Sequence, residues 1–164
     1  MPEDDDLELA AVLPQVGSVK WIGVAAERRA SINSLQEVLA RVGTGLDGDH
    51  HCRRKPGGKR QVTLIQWEHL PAVASVLGRS EVRPEELRRN IVVSGINLLA
   101  LKGKRFRVGK CALEYTGPCV PCSLMEENLG PGGFNAMRGH GGITAQVVSE
   151  GLIRIGDSVA VANC

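Results

Sequence analysis

Short runs of β-branched and apolar residues, each ended by glycine, proline or aspartate, dominate the pattern of hydrophobic and polar positions along this chain. Runs of about four to eight such residues are typical of β-strands. The pattern occurs in the segments VGSVKWIGVA, RQVTLIQW, RNIVVSGI, RFRVGKCALEYTG, ITAQVVSEG and DSVAVANC. Their spacing predicts a mainly β protein built as a single compact β-barrel.

Helical periodicity is weaker and is found in three segments. SLQEVLARVG has Ser34 as a candidate N-cap, Pro84 fits the first turn of a helix in RPEELRRN, and EHLPAVASVLG is the third segment. We expect a few short helices that connect the strands. Because no repeat, low-complexity tract or linker divides the chain, we predict a flexible acidic N-terminus over residues 1–16 and a single domain over residues 17–164.

Composition narrows the possible functions. A chain of 164 residues suits one domain. Its net charge of +2, from 20 basic and 18 acidic residues, lacks the strong overall field of proteins that bind nucleic acids or membrane surfaces. Two Trp, one Tyr and two Phe are too few for a surface that stacks single-stranded bases. We therefore expect no nucleic-acid partner.

Hydropathy and cysteine usage favour a cytoplasmic protein. No apolar run approaches the roughly 20 residues of a membrane span, and the start MPEDDDLEL is the opposite of a signal peptide. Five cysteines, an odd number at irregular spacing, indicate reduced thiols rather than a disulfide framework. Cys111 alternates with apolar residues in KCALEY and is predicted to lie in the core, whereas the terminal Cys164 is assigned no role.

The segment GPCVPCSLMEENLG contains two cysteines separated by two residues. They fit a redox pair, half of a metal site, a cofactor ligand with a neighbour, or two buried thiols. Only a deprotonated sulfur is a good ligand or nucleophile, so Cys122 needs a nearby cation such as Arg89 or Arg138, or the backbone N–H groups of a following turn. Cys119 has the spacing of a disulfide or persulfide partner.

A family pattern is carried by longer segments. RRNIVVSGINLLALKGKRFRVGKCALEYTGPCVPC and GHGGITAQVVSEGLIRIGDSV resemble the MOSC domain, named after the C-terminal domain of molybdenum-cofactor sulfurases, and GLDGDHH followed by KRQVTLIQWEHL is similar to its N-terminal half. The resemblance extends from about Gly17 to Val161. It implies a β-barrel of the MOSC type, a molybdopterin-type cofactor, and one cysteine that contacts molybdenum or carries sulfur. By position this cysteine is Cys122.

The cofactor's phosphate must be held by Arg or Lys side chains and backbone N–H groups. The resemblance places Arg89 and Asn90, at the head of the strand NIVVSGIN, beside the cofactor; the alternative is a solvated helix end. The charged stretch HHCRRKPGGKR is predicted to be a mobile loop, in which Arg60 is the preferred candidate because it adjoins the strand QVTLIQ. The other cationic candidates of this stretch are Arg53, Arg54, Lys55 and Lys59.

The loop GHGGI is a second candidate element. It lacks the Lys-Ser/Thr ending of a phosphate loop and fits a plain connection into the strand ITAQVV. Its position after Cys122 nevertheless matches the point at which the chain of MOSC proteins comes back to the cofactor site. The resemblance therefore implies that the backbone of Gly139, Gly141 and Gly142 approaches the cofactor, and that His140 is a hydrogen-bond donor or a general acid.

The segment GDHHC, residues 48–52, has two interpretations. One is a tetrahedral zinc site, with ligands drawn from His50, His51, Cys52, Cys119 and Cys122. Adjacent histidines on an extended segment point to opposite sides, so at most one of them would join such a site easily. The MOSC resemblance instead implies a turn that lines the pocket, where Asp49 and either His51 or His50 orient their neighbours.

Three functions remain open from the sequence. The first is a molybdenum-cofactor reductase of N-hydroxylated compounds that receives electrons from a partner protein. The second is a sulfur carrier that holds a persulfide on Cys122 and depends on a sulfur-donor protein. The third is a non-catalytic domain with a zinc or structural site. No aminotransferase-like half is present, so we expect no PLP, and the residues after Cys122, Ser-Leu-Met, differ from those of the reductase relatives and leave the small-molecule substrate open.

Overall fold

The computed structural model describes residues 4–53 and 55–162, so the predictions for Arg54 and Cys164 lie outside the described residues. Strands account for more of the described chain than helices do, so the protein is mainly β, as the sequence predicts. The strands are β1 (Gly17–Val24), β2 (Asn33–Leu35), β3 (Glu37–Arg41), β4 (Gly45–Leu46), β5 (Val62–Gln66), β6 (Ile91–Ser94), β7 (Arg105–Val108), β8 (Cys111–Pro118), β9 (Ile143–Ser149), β10 (Gly151–Arg154) and β11 (Ser158–Val161).

Seven of these strands close a mixed β-barrel in the order β11-β7-β8-β9-β5-β6-β1, and pairing of β1 with β11 completes the ring. Neighbours are antiparallel except β5 and β6, which are parallel. A parallel pair requires a crossover connection, and residues 67–90 supply it. This crossover ends immediately before β6, which fixes the position of Arg89 and Asn90 at the head of that strand.

The predicted helix over residues 34–43 is wrong. This segment forms β2, which extends the barrel sheet beside β1, and β3, which pairs with β10 and β4 in a separate three-stranded sheet. Along β3 only Val38 and Ala40 are buried, an alternation with the period of a strand. Pairing of Leu39 with Leu152 and burial on one face therefore outweigh the helix propensity of Leu, Glu, Ala and Arg.

The other two predicted helices are confirmed, and Pro84 occupies the first turn of its helix as expected. Helix α1 has no buried residue. None of the helices in the described part of the chain is long and apolar enough to span a bilayer. The helices are α1 (Asp4–Ala10), α2 (His69–Val76), α3 (Pro84–Leu87), α4 (Ser123–Leu129) and α5 (Gly133–Met137), with 3-10 turns at His50–Arg53 and Leu98–Leu101.

Two hydrophobic clusters stabilise the fold, one inside the barrel and one between its outer wall and the helices. Strand β5 serves both because Leu64 belongs to the barrel cluster and the adjacent Ile65 to the helix cluster. Successive side chains of a strand point to opposite faces. Met125 and Met137, from α4 and α5, complete the outer cluster and hold these helices beside the end of β8.

Candidate functional site

A cleft of about 280 Å³ lies where the 3-10 turn at His50–Arg53, the head of β6 and the start of α4 meet. Residues 25–32, which follow β1, form another part of its wall. The cleft brings together many of the side chains that the sequence predicts for the site, namely Asp49, His50, His51, Arg60, Arg89, Asn90 and Cys122.

Cys122 is exposed and is the N-cap residue of α4, with an extended backbone (φ −129°, ψ −179°). The backbone N of Met125 donates to the Cys122 carbonyl at 3.0 Å, which closes the first turn of α4. The turn that the sequence predicts after Cys122 is thus present as the start of α4. The alternative cation, Arg138, is exposed and is not part of the cleft wall.

Cys119 differs from Cys122 in being buried, with 2% of its surface exposed. Residues 119–122 form neither a turn nor a bend between β8 and α4. In an extended chain, residues three apart lie about 10 Å from each other, whereas disulfide-bonded residues have Cα atoms within about 7 Å. The backbone therefore disfavours a direct disulfide between the two cysteines.

Arg89 is the buried cation of the cleft, with 3% of its surface exposed. Its Nε donates to the Gly141 carbonyl at 2.9 Å and its Nη1 to the Leu87 carbonyl at 2.8 Å, whereas its buried Nη2 has no hydrogen-bond partner among the described residues. Burial lowers the pKa of Arg89, and the attraction of Cys119 and Cys122 opposes this shift. Because a buried donor without a partner is costly, Nη2 points to a ligand.

Asn90 is buried and is fully bonded within the protein. Its Oδ1 accepts from the backbone N and the hydroxyl of Thr63 at 3.0 and 3.1 Å, and its Nδ2 donates to the Gly23 carbonyl at 3.1 Å and to Asp49 Oδ1 at 3.3 Å. These bonds join β1, β5 and β6 beneath the cleft. Asn90 therefore acts on the site by fixing the residues around it.

Asp49 orients the histidine turn. Its carboxylate, 2% exposed, accepts from the backbone N of Ala25 at 3.0 Å and lies 2.7 Å from His51 Nδ1. Burial raises the pKa of Asp49, but the hydrogen bonds from His51 and Ala25 outweigh that effect and leave the pKa below its ordinary value. The carboxylate therefore stays ionised and holds His51 in the cleft wall.

The two histidines share the cleft, contrary to the expectation for an extended segment. His50 and His51 lie in a 3-10 turn, and their ring centroids are 4.0 Å apart. Among the described residues their ligand atoms group with Asp49, within 4.8 Å of one another, rather than with cysteine sulfurs. Among the described residues the cleft wall contains five arginines and one carboxylate, although Arg29 is paired with Glu127 at 3.2 Å. This charge disfavours a free divalent cation such as Zn²⁺ and favours an anion.

The GHGGI loop is connected to the cleft through Arg89, although none of the loop's residues lines the cleft. Gly141 accepts the Arg89 hydrogen bond, and a Cβ at this position would collide with the Cys119 carbonyl, so only glycine permits this approach. Gly139 and Gly142 have φ values of +81° and +85° and do not line the cleft. His140 lies on the far side of the loop, where its ring packs edge-to-face on His69 of α2 at 5.1 Å.

Several cleft residues are absent from the sequence-based prediction. The basic pair Arg28 and Arg29 follows β1, and Arg88 ends α3 in the left-handed conformation (φ 56°) and donates to the Ala30 carbonyl. The clusters ERR and LRR were visible in the sequence. They resemble solvated surface charges, and only the folded chain shows that they converge on one cleft.

Comparison with known proteins identifies the family. The family model described as MOSC domain matches residues 47–160, which include the histidine turn, the crossover and the Cys122 region. The chain belongs to the MOSC domain family. No curated protein matches this chain significantly.

Solved structures share the MOSC fold of this chain. The YuaD protein from Bacillus subtilis superimposes with a TM-score of 0.77 at 21% identity, covering 92% of this chain and 98% of that one. YiiM from Geobacillus stearothermophilus superimposes with a TM-score of 0.72 at 17% identity, covering 90% of this chain and 75% of that one. YiiM from Escherichia coli superimposes with a TM-score of 0.69 at 17% identity, covering 90% of this chain and 70% of that one. At these identities the similarity establishes the barrel architecture.

Proposed function

We propose that the cleft binds a molybdenum cofactor of the molybdopterin type and that this MOSC protein is a small reductase of N-hydroxylated compounds, with electrons from a partner protein. The observation that carries the proposal is the unpaired Nη2 of Arg89 in a cleft that also contains Cys122. A buried guanidinium with a free donor is suited to an anionic group such as a phosphate. A thiolate is suited to a soft metal centre.

The residues present fit such a group. Cys122 would hold the metal, and Arg89, with Arg60 at the cleft edge, would hold the cofactor's anionic part. When bound, the cofactor would supply two-electron redox chemistry. Asp49, the carboxylate that lines the cleft, is already engaged by His51 and Ala25, which weakens the competing site that it forms with the two histidines for a free cation.

The chain's own groups would orient the substrate and handle its protons. His51 is fixed through Nδ1 by Asp49, which leaves Nε2 as the ring nitrogen that can exchange a proton in the cleft. Histidine is the side chain best suited to proton transfer near neutral pH. Reduction of an N–OH group to N–H releases water and consumes two protons and two electrons, so a positioned proton donor is required beside the reacting nitrogen.

Metal content tests this proposal directly. The protein, Cys122→Ala and the control Cys52→Ala would be produced in a host that makes molybdenum cofactor, and molybdenum and zinc per chain measured by elemental analysis. Cys52 is a partly exposed thiol outside the cleft wall. We expect nearly one molybdenum per chain in the wild type and in Cys52→Ala, and its loss in Cys122→Ala. Zinc in place of molybdenum, or no metal in any of the three proteins, would contradict the proposal.

A sulfur-carrier function is the second candidate, and the exposure of Cys122 favours it. A sulfur donor must reach the accepting thiol, and an exposed N-cap cysteine satisfies this requirement. In this case the metal-free protein would gain the mass of one sulfur atom at Cys122 after incubation with a persulfide donor. Cys122→Ala would gain none, and the same gain at Cys52 would count against the assignment.

A further inference from the structure

A second cleft, of about 270 Å³, adjoins the first. Arg60 and His51 line both clefts, so the two clefts share part of their walls. The remaining wall comes from the β3–β4 turn and from the loop before β5, and its residues are Gly43, Thr44, Lys55, Gly58, Lys59 and Gln61. The second cleft therefore borders the first at Arg60 and His51.

The second cleft is positively charged. Lys55, Lys59 and Arg60 line it, and none of the described residues in its wall is a carboxylate. Among the described residues none of these three cations forms an ion pair, whereas Arg41 and Arg154 on nearby strands are paired with Asp47 and Glu37 at 2.6 and 2.9 Å. Several unneutralised cations around one concave surface repel one another, and an anion bound among them removes that cost.

The loop that presents the two lysines is fixed at three points. The backbone N of Gly57 donates to the Gly43 carbonyl at 3.0 Å, and the Lys59 carbonyl accepts a hydrogen bond from the Thr116 hydroxyl. The Gly58 carbonyl accepts from Gln61 Nε2 at 2.8 Å, and Gln61, 4% exposed, is itself held by the backbone N of Val147 at 2.9 Å. The lysines are thus attached to a loop that the barrel positions.

We propose that the second cleft is an anion subsite for a phosphate group of the substrate, so that the substrate is a phosphorylated small molecule such as a nucleotide. Lys55 and Lys59 would bind the phosphate, and Arg60 would lie between it and the group that reacts in the first cleft. Arg89 remains available for the cofactor's own anionic group because it lines the first cleft, not the second, and its buried Nη2 has no partner among the described residues. The placement of the reacting group rests on the proposed function, whereas the phosphate subsite does not.

The test compares ligands that differ by one phosphate. Binding of adenosine and of adenosine monophosphate to the metal-free protein would be measured by calorimetry at low and at moderate salt. We expect the monophosphate to bind, to weaken as salt rises, and to exceed adenosine in affinity by roughly tenfold or more, since a phosphate gains charge-assisted hydrogen bonds from lysines. Equal affinity of the two ligands, or no binding of either, would overturn the subsite.

Matched variants locate the binding. Lys55→Ala combined with Lys59→Ala should remove most of the preference for the monophosphate, while Lys20→Ala combined with Lys102→Ala, which removes two exposed lysines outside both clefts, should leave it unchanged. All four lysines are exposed, so neither double variant disturbs the core. An equal loss of this preference in both double variants would show that the monophosphate binds to diffuse surface charge.

The cofactor-loaded protein distinguishes the two possible sources of the phosphate. If the subsite serves the substrate, loading leaves monophosphate binding intact. If loading abolishes it, the subsite holds a phosphate of the cofactor itself, and the substrate assignment fails. A protein that takes up no molybdenum disproves the proposed function alone, because the metal-free measurements still decide whether the subsite exists.

Discussion

Asn90 and Asp49 have roles that differ from direct ligand binding. Both side chains are buried, and the four hydrogen bonds of Asn90 go to Thr63, Gly23 and Asp49. An amide side chain has four hydrogen-bonding positions, so Asn90 has none left for a cofactor. We therefore expect direct contact with a ligand from groups that lack a hydrogen-bond partner among the described residues, above all Nη2 of Arg89.

The two cysteines Cys122 and Cys111 should differ strongly in reactivity. Cys122 is exposed at the start of α4, whereas Cys111 is fully buried and burial raises its pKa to about 12. At neutral pH we expect iodoacetamide to modify Cys122 at least roughly tenfold faster than Cys111. The rates would be followed by mass spectrometry of the two peptides in the native metal-free protein. Equally slow modification of both thiols would argue against an accessible, activated Cys122.

At the scale of elements, the loop over residues 139–142 is held against β5 by close backbone contact. A Cβ on Gly142 would collide with the Leu64 carbonyl and would also lie 2.9 Å from Ile65 Cα, both in a central barrel strand. At Gly139 nothing lies within 4 Å of the corresponding position. Both glycines have positive φ. The requirement for glycine is thus conformational at one position and also steric at the other.

This difference provides a matched pair of variants. Gly139→Ala should cost about 1 kcal/mol, because only the left-handed backbone disfavours a side chain there. Gly142→Ala adds a clash with strand backbone that cannot move freely, so we expect a further loss of about 2 kcal/mol or more. Urea denaturation measures both free energies of unfolding. Similar losses in the two variants would show that β5 can adjust to the added methyl group.

Strand β3 shows that helix propensity can be outweighed by contacts between distant elements. The segment from Ser34 to Gly43 has good helix formers, yet Leu39 pairs with Leu152 and Val38 and Ala40 alternate into the core. A few tenths of a kcal/mol per residue in helix propensity are small beside burial of apolar side chains and cross-strand pairing. The partner strand β10 lies more than 100 residues along the chain, so local periodicity could not identify it.

For the whole molecule, the packing of α2 and α5 on the barrel places His69 against His140. Burial lowers the pKa of His69 below its ordinary value of 6.5, and repulsion from a protonated His140 lowers it further. A histidine with a depressed pKa in the folded state disfavours protonation. Its contribution to stability is complete above pH 6.5 and is lost as the pH falls through the folded-state pKa.

Replacement of this histidine should therefore reduce the sensitivity of the fold to acid. We expect the wild type to lose more free energy of unfolding than His69→Gln does as the pH falls below 6.5, where the histidine of the unfolded chain takes up its proton. Urea titrations at several pH values would show it. Parallel stability curves for the two proteins would mean that His69 accepts its proton in the folded state without cost.

The sequence by itself determined the barrel strands, helices α2 and α3, the family, and the turn that begins directly after Cys122. Each of these follows from local alternation, from turn residues or from an ordered set of motifs. The MOSC resemblance also indicated most of the side chains that meet in the cleft.

Only the tertiary structure decided which polar atoms of those side chains lack a partner within the protein. Asn90 and Asp49 are 41 residues apart and bond to each other, and Arg28 and Arg29 join Arg88 at one cleft although they occupy a different connection. The burial of Cys119 beside an exposed Cys122, and the missing partner of Arg89 Nη2, are likewise visible only after folding. Closure of the barrel brings distant segments together, and their hydrogen bonds leave particular atoms for a ligand.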